Sequence, residues 1–121
     1  MATTASRTMT RVLIHEPHPE VRAFLVRLVE HLGYEPVVSG SGEPPDGDVL
    51  LLAASAEDGL ALAAGLRRAN PDLPVVCAGS GTPGREVLAL EPVAFLVKPF
   101  TIGECEQALA DASALVPAHL P

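Results

Sequence analysis

Short apolar runs recur along this chain, and between them the hydrophobic spacing switches to a helical period. The runs are RVLI (11–14), YEPVV (34–38), DVLLLAA (48–54), LPVVCAG (73–79) and VAFLV (93–97). Runs of this length, bounded by polar or turn residues, suit buried strands. DVLLLAA is the most apolar and is assigned the centre of the sheet, while Pro36 places YEPVV at an edge. Strands alternating with helices at short spacing build βαβ units, hence a parallel sheet.

The helical segments have clear signals. Val21, Phe24, Leu25, Leu28, Val29 and Leu32 recur at three- and four-residue intervals, one face of a helix. His18 or Pro19 opens it, Glu20 favours its dipole, and Gly33 closes it as a left-handed cap. Residues 56–70 read as a helix starting near Asp58, and 85–91 as about two helical turns. Residues 101–116 form the last helix, opened by a capping box of Thr101 and Glu104. The Gly/Pro-rich stretch 39–47 has no helical pattern. Residues 1–10 and 118–121 read as flexible tails around one domain, 11–117.

Composition narrows the class. At 121 residues the chain is one domain, and 48% hydrophobic residues exclude disorder. Only 3% are aromatic, so the core is built from Leu, Val and Ala. The net charge of −7 opposes binding to a phosphate backbone, which argues against nucleic acid. The longest uncharged apolar run, Val49 to Ala54, is too short for a bilayer. MATTASRTMTR lacks the apolar segment of a secretory signal, and Cys77 and Cys105 make no disulfide framework. A cytoplasmic location and no membrane association are expected.

The segments RVLIHEPHPEVRAFLVRLVEHLGYEPV, DVLLLAASAEDGLAL, PDLPVVCAG and AFLVKPF resemble the response-regulator receiver domains (CheY-like). The likeness spans about residues 11–116. It implies a three-layer α/β/α, flavodoxin-like fold with a five-stranded parallel sheet in the order 2-1-3-4-5. The second helix of the family is expected to be short or absent here. Receivers transfer a phosphoryl group to an aspartate, using Mg²⁺ held by acidic residues and a Lys and a hydroxyl that hold the phosphate oxygens. Carried over, the phospho-acceptor falls on Ala53, the acidic pair on Glu16 and Pro17, and the hydroxyl on Gly79. Only Lys98, followed by Pro99, keeps the family residue. Phe95 falls on the aromatic that rotates between inward and outward states in the family. The chain thus resembles a degenerate receiver, or pseudo-receiver, without the phospho-accepting aspartate.

In open parallel sheets the crevice lies beyond the carboxyl ends of the strands. This directs attention to His15–Glu16–Pro17–His18, Ala53 to Ser55, Ala78 to Ser80, and Lys98. His15, Glu16 and His18 have metal-capable side chains, but adjacent strand residues point to opposite faces, so a solvated turn that caps the first helix is expected instead. Ser55 and Ser80 read as loop residues, Glu57 and Asp58 as helix starters, Cys77 as a core residue. No nucleophile–base pair, Gly-rich phosphate loop or acid pair is evident, so no enzyme activity and no cofactor are expected.

Two functions follow. The first is a phosphorylation-independent signalling module. It contacts a protein partner or a second copy through the face of 85–91, 93–97 and 101–116, with Glu86, Phe95 and Leu96 in that surface. The second is a small-molecule or metal-binding module that uses the former phosphorylation crevice, with His15, Glu16, His18 and Lys98 as its polar groups.

Overall fold

The computed structural model describes residues 10–39, 47–53 and 57–116. The regions expected as tails, apart from Thr10, lie outside these residues, as does most of the Gly/Pro-rich stretch. The elements run β1 (Arg11–His15), α1 (Pro19–His31), β2 (Glu35–Val38), β3 (Val49–Ala53), α2 (Glu57–Ala69), β4 (Val75–Gly79), α3 (Arg85–Ala89), β5 (Ala94–Val97) and α4 (Ile102–Ser113). All strand pairs are parallel, and the order is β2-β1-β3-β4-β5. The expected topology is therefore present. β3 is buried along its whole length, as the central strand of a two-faced sheet must be. Pro36 sits on the edge strand, where its missing N–H is tolerated.

Strand alternation divides the core into two layers. Val12, Ile14, Val49, Leu51, Val76, Ala78 and Leu96 pack under α1 and α4, against Leu25, Leu28, Val29, Cys105, Ala108, Leu109 and Ala112. Leu13, Leu50, Leu52, Val75 and Cys77 face the other way, toward Ala63 of α2 and Val87 of α3. The aliphatic composition is thus spent on a sheet with both faces covered.

Local signals set the helix ends. Gly33 has φ +95°, and the N–H groups of Gly33 and Tyr34 donate to the carbonyls of Glu30 and Val29. This is a Schellman closure, which needs a residue free of a Cβ at that point. At α4, the Thr101 hydroxyl accepts from the Glu104 N–H at 3.0 Å, and the Glu104 carboxylate accepts from the Thr101 N–H at 2.8 Å. That reciprocal pair satisfies two backbone donors and contributes about 1 kcal/mol.

Two expectations need correction. Leu96, placed in the interaction surface, is 6% exposed and belongs to the core under α1 and α4. On β5 its side chain points inward, while that of its neighbour Val97 points out and is exposed. The turn after β1 is also not simply solvated. Glu16 is the one buried charged residue among the described residues. His18 supplies no side-chain cap to α1. Instead the Glu16 carboxylate accepts from the His18 N–H at 3.0 Å.

Candidate functional site

The carboxyl ends of β1, β3, β4 and β5 open on one edge of the sheet, as parallel pairing requires. Leu52 pairs with His15 in β1, so Glu16, one residue further on, stands level with Ala53. Ala53 pairs with Ala78, and Gly79 with Val97. Lys98 follows directly, its N–H donating to the Gly79 carbonyl at 2.8 Å, with a cis peptide to Pro99. Glu16, Ala53, Gly79 and Lys98 therefore end four adjacent strands, as the resemblance implies. Pro17 is exposed at the start of the following turn.

The electrostatics of this edge are local and nearly closed. Lys98 Nζ lies 3.6 Å from Glu16 Oε1, within ion-pair range but beyond a hydrogen bond. Glu16 Oε2 is held by the His18 N–H, and the Arg22 guanidinium donates to the Glu16 backbone carbonyl at 3.1 Å. The strand ends beside this pair carry a methyl group at Ala53 and no side chain at Gly79. Nothing at Ala53 can attack phosphorus, and Pro17 offers no carboxylate to a metal. Sequence reasoning placed Lys98 among the polar groups of the crevice; its ion-pair partner is the buried acid at the end of β1, three strands away.

His15, Glu16 and His18 are not brought together. The His15 ring turns to the α2 side, where Nδ1 lies 2.7 Å from Ser39 Oγ. A Cβ built on Gly59 of α2 would meet the His15 ring at 2.9 Å. Glu16 turns toward Lys98, and His18 is exposed. Among the described residues there is no group of three metal-ligating side chains.

The other singled-out residues fall as follows. Phe95 is half-buried, packed against the core layer of Leu13, Cys77 and Val87. Glu86 is exposed in the first turn of α3. Ser80 is exposed just beyond β4; Ser55 and the side chains of Glu57 and Asp58 lie outside the described residues. Cys77 and Cys105 are both buried free thiols. Burial pushes each up to about 11, with Arg67 opposing part of the effect at Cys77.

One feature escaped sequence reasoning. An open groove of about 490 Å³ runs from Lys98 along α1, walled by Val21, Phe24 and Leu25 on one side and Pro99 and Phe100 on the other. Ala78 also lines it. Phe24 is 48% exposed at its rim. The helical spacing assigned Phe24 to the core stripe with Leu25 and Leu28. Periodicity does not say where the covering elements stop, so the exposed ring left no separate signal.

No protein-family model matches the sequence, and no curated protein matches it. Solved structures do match in fold. A pilus assembly-related protein from Burkholderia pseudomallei superposes with a TM-score of 0.73 at 19% identity, covering 98% of this chain and 100% of its own. The chemotaxis protein CheY4 of Vibrio cholerae gives 0.74 at 18% identity, covering 87% and 99%. The signal receiver domain of a modulated diguanylate cyclase from Desulfovibrio desulfuricans gives 0.68 at 25% identity, covering 86% and 93%. The fold is that of the CheY-like receiver domains.

Proposed function

We propose that this chain is a cytoplasmic signalling module on a receiver fold that works without aspartyl phosphorylation, through protein contacts. The observation that carries this reading is the strand-end edge itself. The position level with Glu16 on β3 is Ala53, a methyl group, while Glu16 is already committed to Lys98 and the His18 N–H. A fold kept whole around an edge without a nucleophile favours binding over phosphotransfer. The contact face of this reading is α3, the outer side of β5, and α4. Leu88 of α3 and Val97 of β5 are exposed, as are the acidic side chains of Glu86 in α3 and Glu106 and Asp111 in α4. Exposed apolar residues together with charged ones are a common make-up for a contact surface.

The test is an amide NMR titration with Mg²⁺ followed by beryllofluoride, which mimics an aspartyl phosphate. The expected result is no saturable shift at Glu16, Ala53, Gly79 or Lys98. Saturable shifts there would overturn the phosphorylation-independent reading. For the contact face, the charge reversals Glu106→Lys and Asp111→Lys are expected to abolish binding to a partner or a second copy. Unchanged binding would remove this face from the reading.

A further inference from the structure

Where α1 meets the end of β2 there is a second groove, separate from the one at Lys98. Its volume is about 420 Å³, and Pro19, Arg22, Ala23, Val26 and Arg27 of the helix line it together with Val38 of β2. Arg22 and Arg27 stand five positions apart on α1, with Ala23 and Val26 between them. Arg22 Nη1 donates to the Glu16 carbonyl at 3.1 Å, which orients the guanidinium but takes up no charge. The Glu16 carboxylate itself is turned to Lys98 and the His18 N–H. Among the described residues, neither Arg22 nor Arg27 lies within ion-pair distance of a carboxylate. Glu20 and Glu30 are exposed on the same helix but do not line the groove. Guanidinium groups with unfilled donors suit carboxylates, which they hold through paired N–H groups.

The same chain carries a matching pair of acids. On α4, Glu106 and Asp111 are exposed and also five positions apart, with the exposed Ala110 between them. Gln107 Nε2 donates to Asp111 Oδ1 at 2.9 Å and orients that carboxylate. Glu104, the third acid of α4, is engaged in the capping box. No other helix of the fold has two acids at this spacing. Five helical positions make a rise of about 7.5 Å on either helix, so two acids on one can meet two arginines on the other when the helices lie side by side. The small side chain of Ala110 allows α4 to settle over Ala23 and Val26.

We propose that the Arg22–Arg27 groove receives α4 of a second copy of this chain, with Glu106 and Asp111 paired to the two arginines. The proposal rests on the contact-face reading above and names the partner of its α4 side. The groove lies at the β2 edge of the sheet, whereas α4 packs on β3, β4 and β5. The contact is therefore heterologous, head to tail, and a pair of copies leaves one groove and one acidic helix unused at its ends. The net charge of −7 on each copy opposes association at long range, but that repulsion is screened beyond about 8 Å at physiological ionic strength, unlike the contacts within the groove.

The experiment is sedimentation velocity of the full chain up to about 1 mM, with two neutralised variants. Arg22→Gln/Arg27→Gln removes the cations of the groove, and Glu106→Gln/Asp111→Asn removes the acids of α4. The wild type is expected to gain mass with concentration. Each variant alone should associate about tenfold or more weakly. Mixed in equal amounts, the two variants should form a particle of two chains and nothing larger, because one brings an intact groove and the other an intact helix. Recovery in the mixture also shows that both variants are folded. Arg27→Gln alone, at an exposed side chain without an ion-pair partner among the described residues, should weaken association without lowering the melting temperature. The proposal is overturned by a wild type that stays monomeric, by variants that do not recover in the mixture, or by an arginine variant that associates as the wild type does. If only the α4 variant loses association, or if a different protein binds that face while the wild type stays monomeric, the contact-face reading stands and the groove is not its counterpart.

Discussion

Lys98 Nζ stands 3.6 Å from Glu16 Oε1, and water reaches the two side chains unequally, at 36% and 5% exposure. The pair ties the end of β5 to the turn after β1, two segments distant in sequence. Removing the lysine strands a buried carboxylate, whereas removing the acid leaves a cation that solvent still reaches. Lys98→Met should therefore destabilise the fold by about 1–3 kcal/mol, and Glu16→Gln by less. The double variant should cost less than the sum of the two. Urea unfolding of the four proteins at neutral pH measures this cycle, and simple additivity would mean the pair is not coupled.

A carboxylate placed at position 53 should not by itself confer phosphotransfer. Ala53→Asp places a carboxylate at the end of β3, but Pro17 still offers no metal ligand and Glu16 remains engaged. Intact mass after incubation with acetyl phosphate and Mg²⁺ should show no added phosphoryl group. The same variant should unfold at lower urea than the parent, because it buries a charge at a position 5% exposed.

The thiols offer a pH test with a definite sign. Cys77 and Cys105 are raised in the folded state to about 11 from 9.0 by burial. A raised folded pKa means the stabilisation is complete below the unfolded pKa and is lost as pH rises through the folded one. Stability should thus decline between about pH 9 and 11, by on the order of a few kcal/mol for the two thiols together. The variant Cys77→Ala/Cys105→Ala should show a flatter slope across that window. At neutral pH neither thiol should react with iodoacetamide until the chain is unfolded.

Gly47 enters β3 hard against β1. A Cβ there would lie 2.9 Å from Leu13 Cβ and 3.2 Å from the Leu13 backbone nitrogen. Neither atom belongs to the end of a flexible side chain, so the strands themselves would have to part. Gly47→Ala should cost about 1–3 kcal/mol by thermal unfolding. A melting temperature equal to that of the parent would show that the edge of β3 yields freely.

Much of the fold is written in local patterns. The switch between strand-like runs and the three- and four-residue spacing of α1 already separates the layers. Pro36 marks the edge strand, Gly33 the end of α1, and Thr101 with Glu104 the start of α4, because each acts on backbone groups within a few residues. The site was legible only as a set of positions. That Ala53 and Gly79 carry no reactive group is evident from the letters alone. That Glu16 is buried, and that Lys98 is its partner, is not.

By itself, the sequence determined the alternating α/β plan, the two-faced sheet and the absence of a reactive group at Ala53 and Gly79, since these depend on residue type and short-range period. The tertiary structure alone decided which way individual side chains turned. It buried Leu96 under α1 and α4, left Phe24 at the rim of a groove, sent His15 to Ser39 and paired Glu16 with Lys98. Those outcomes depend on how parallel strands register and where the helices stop covering them. Contacts of that kind join residues far apart in the chain, and no local spacing encodes them.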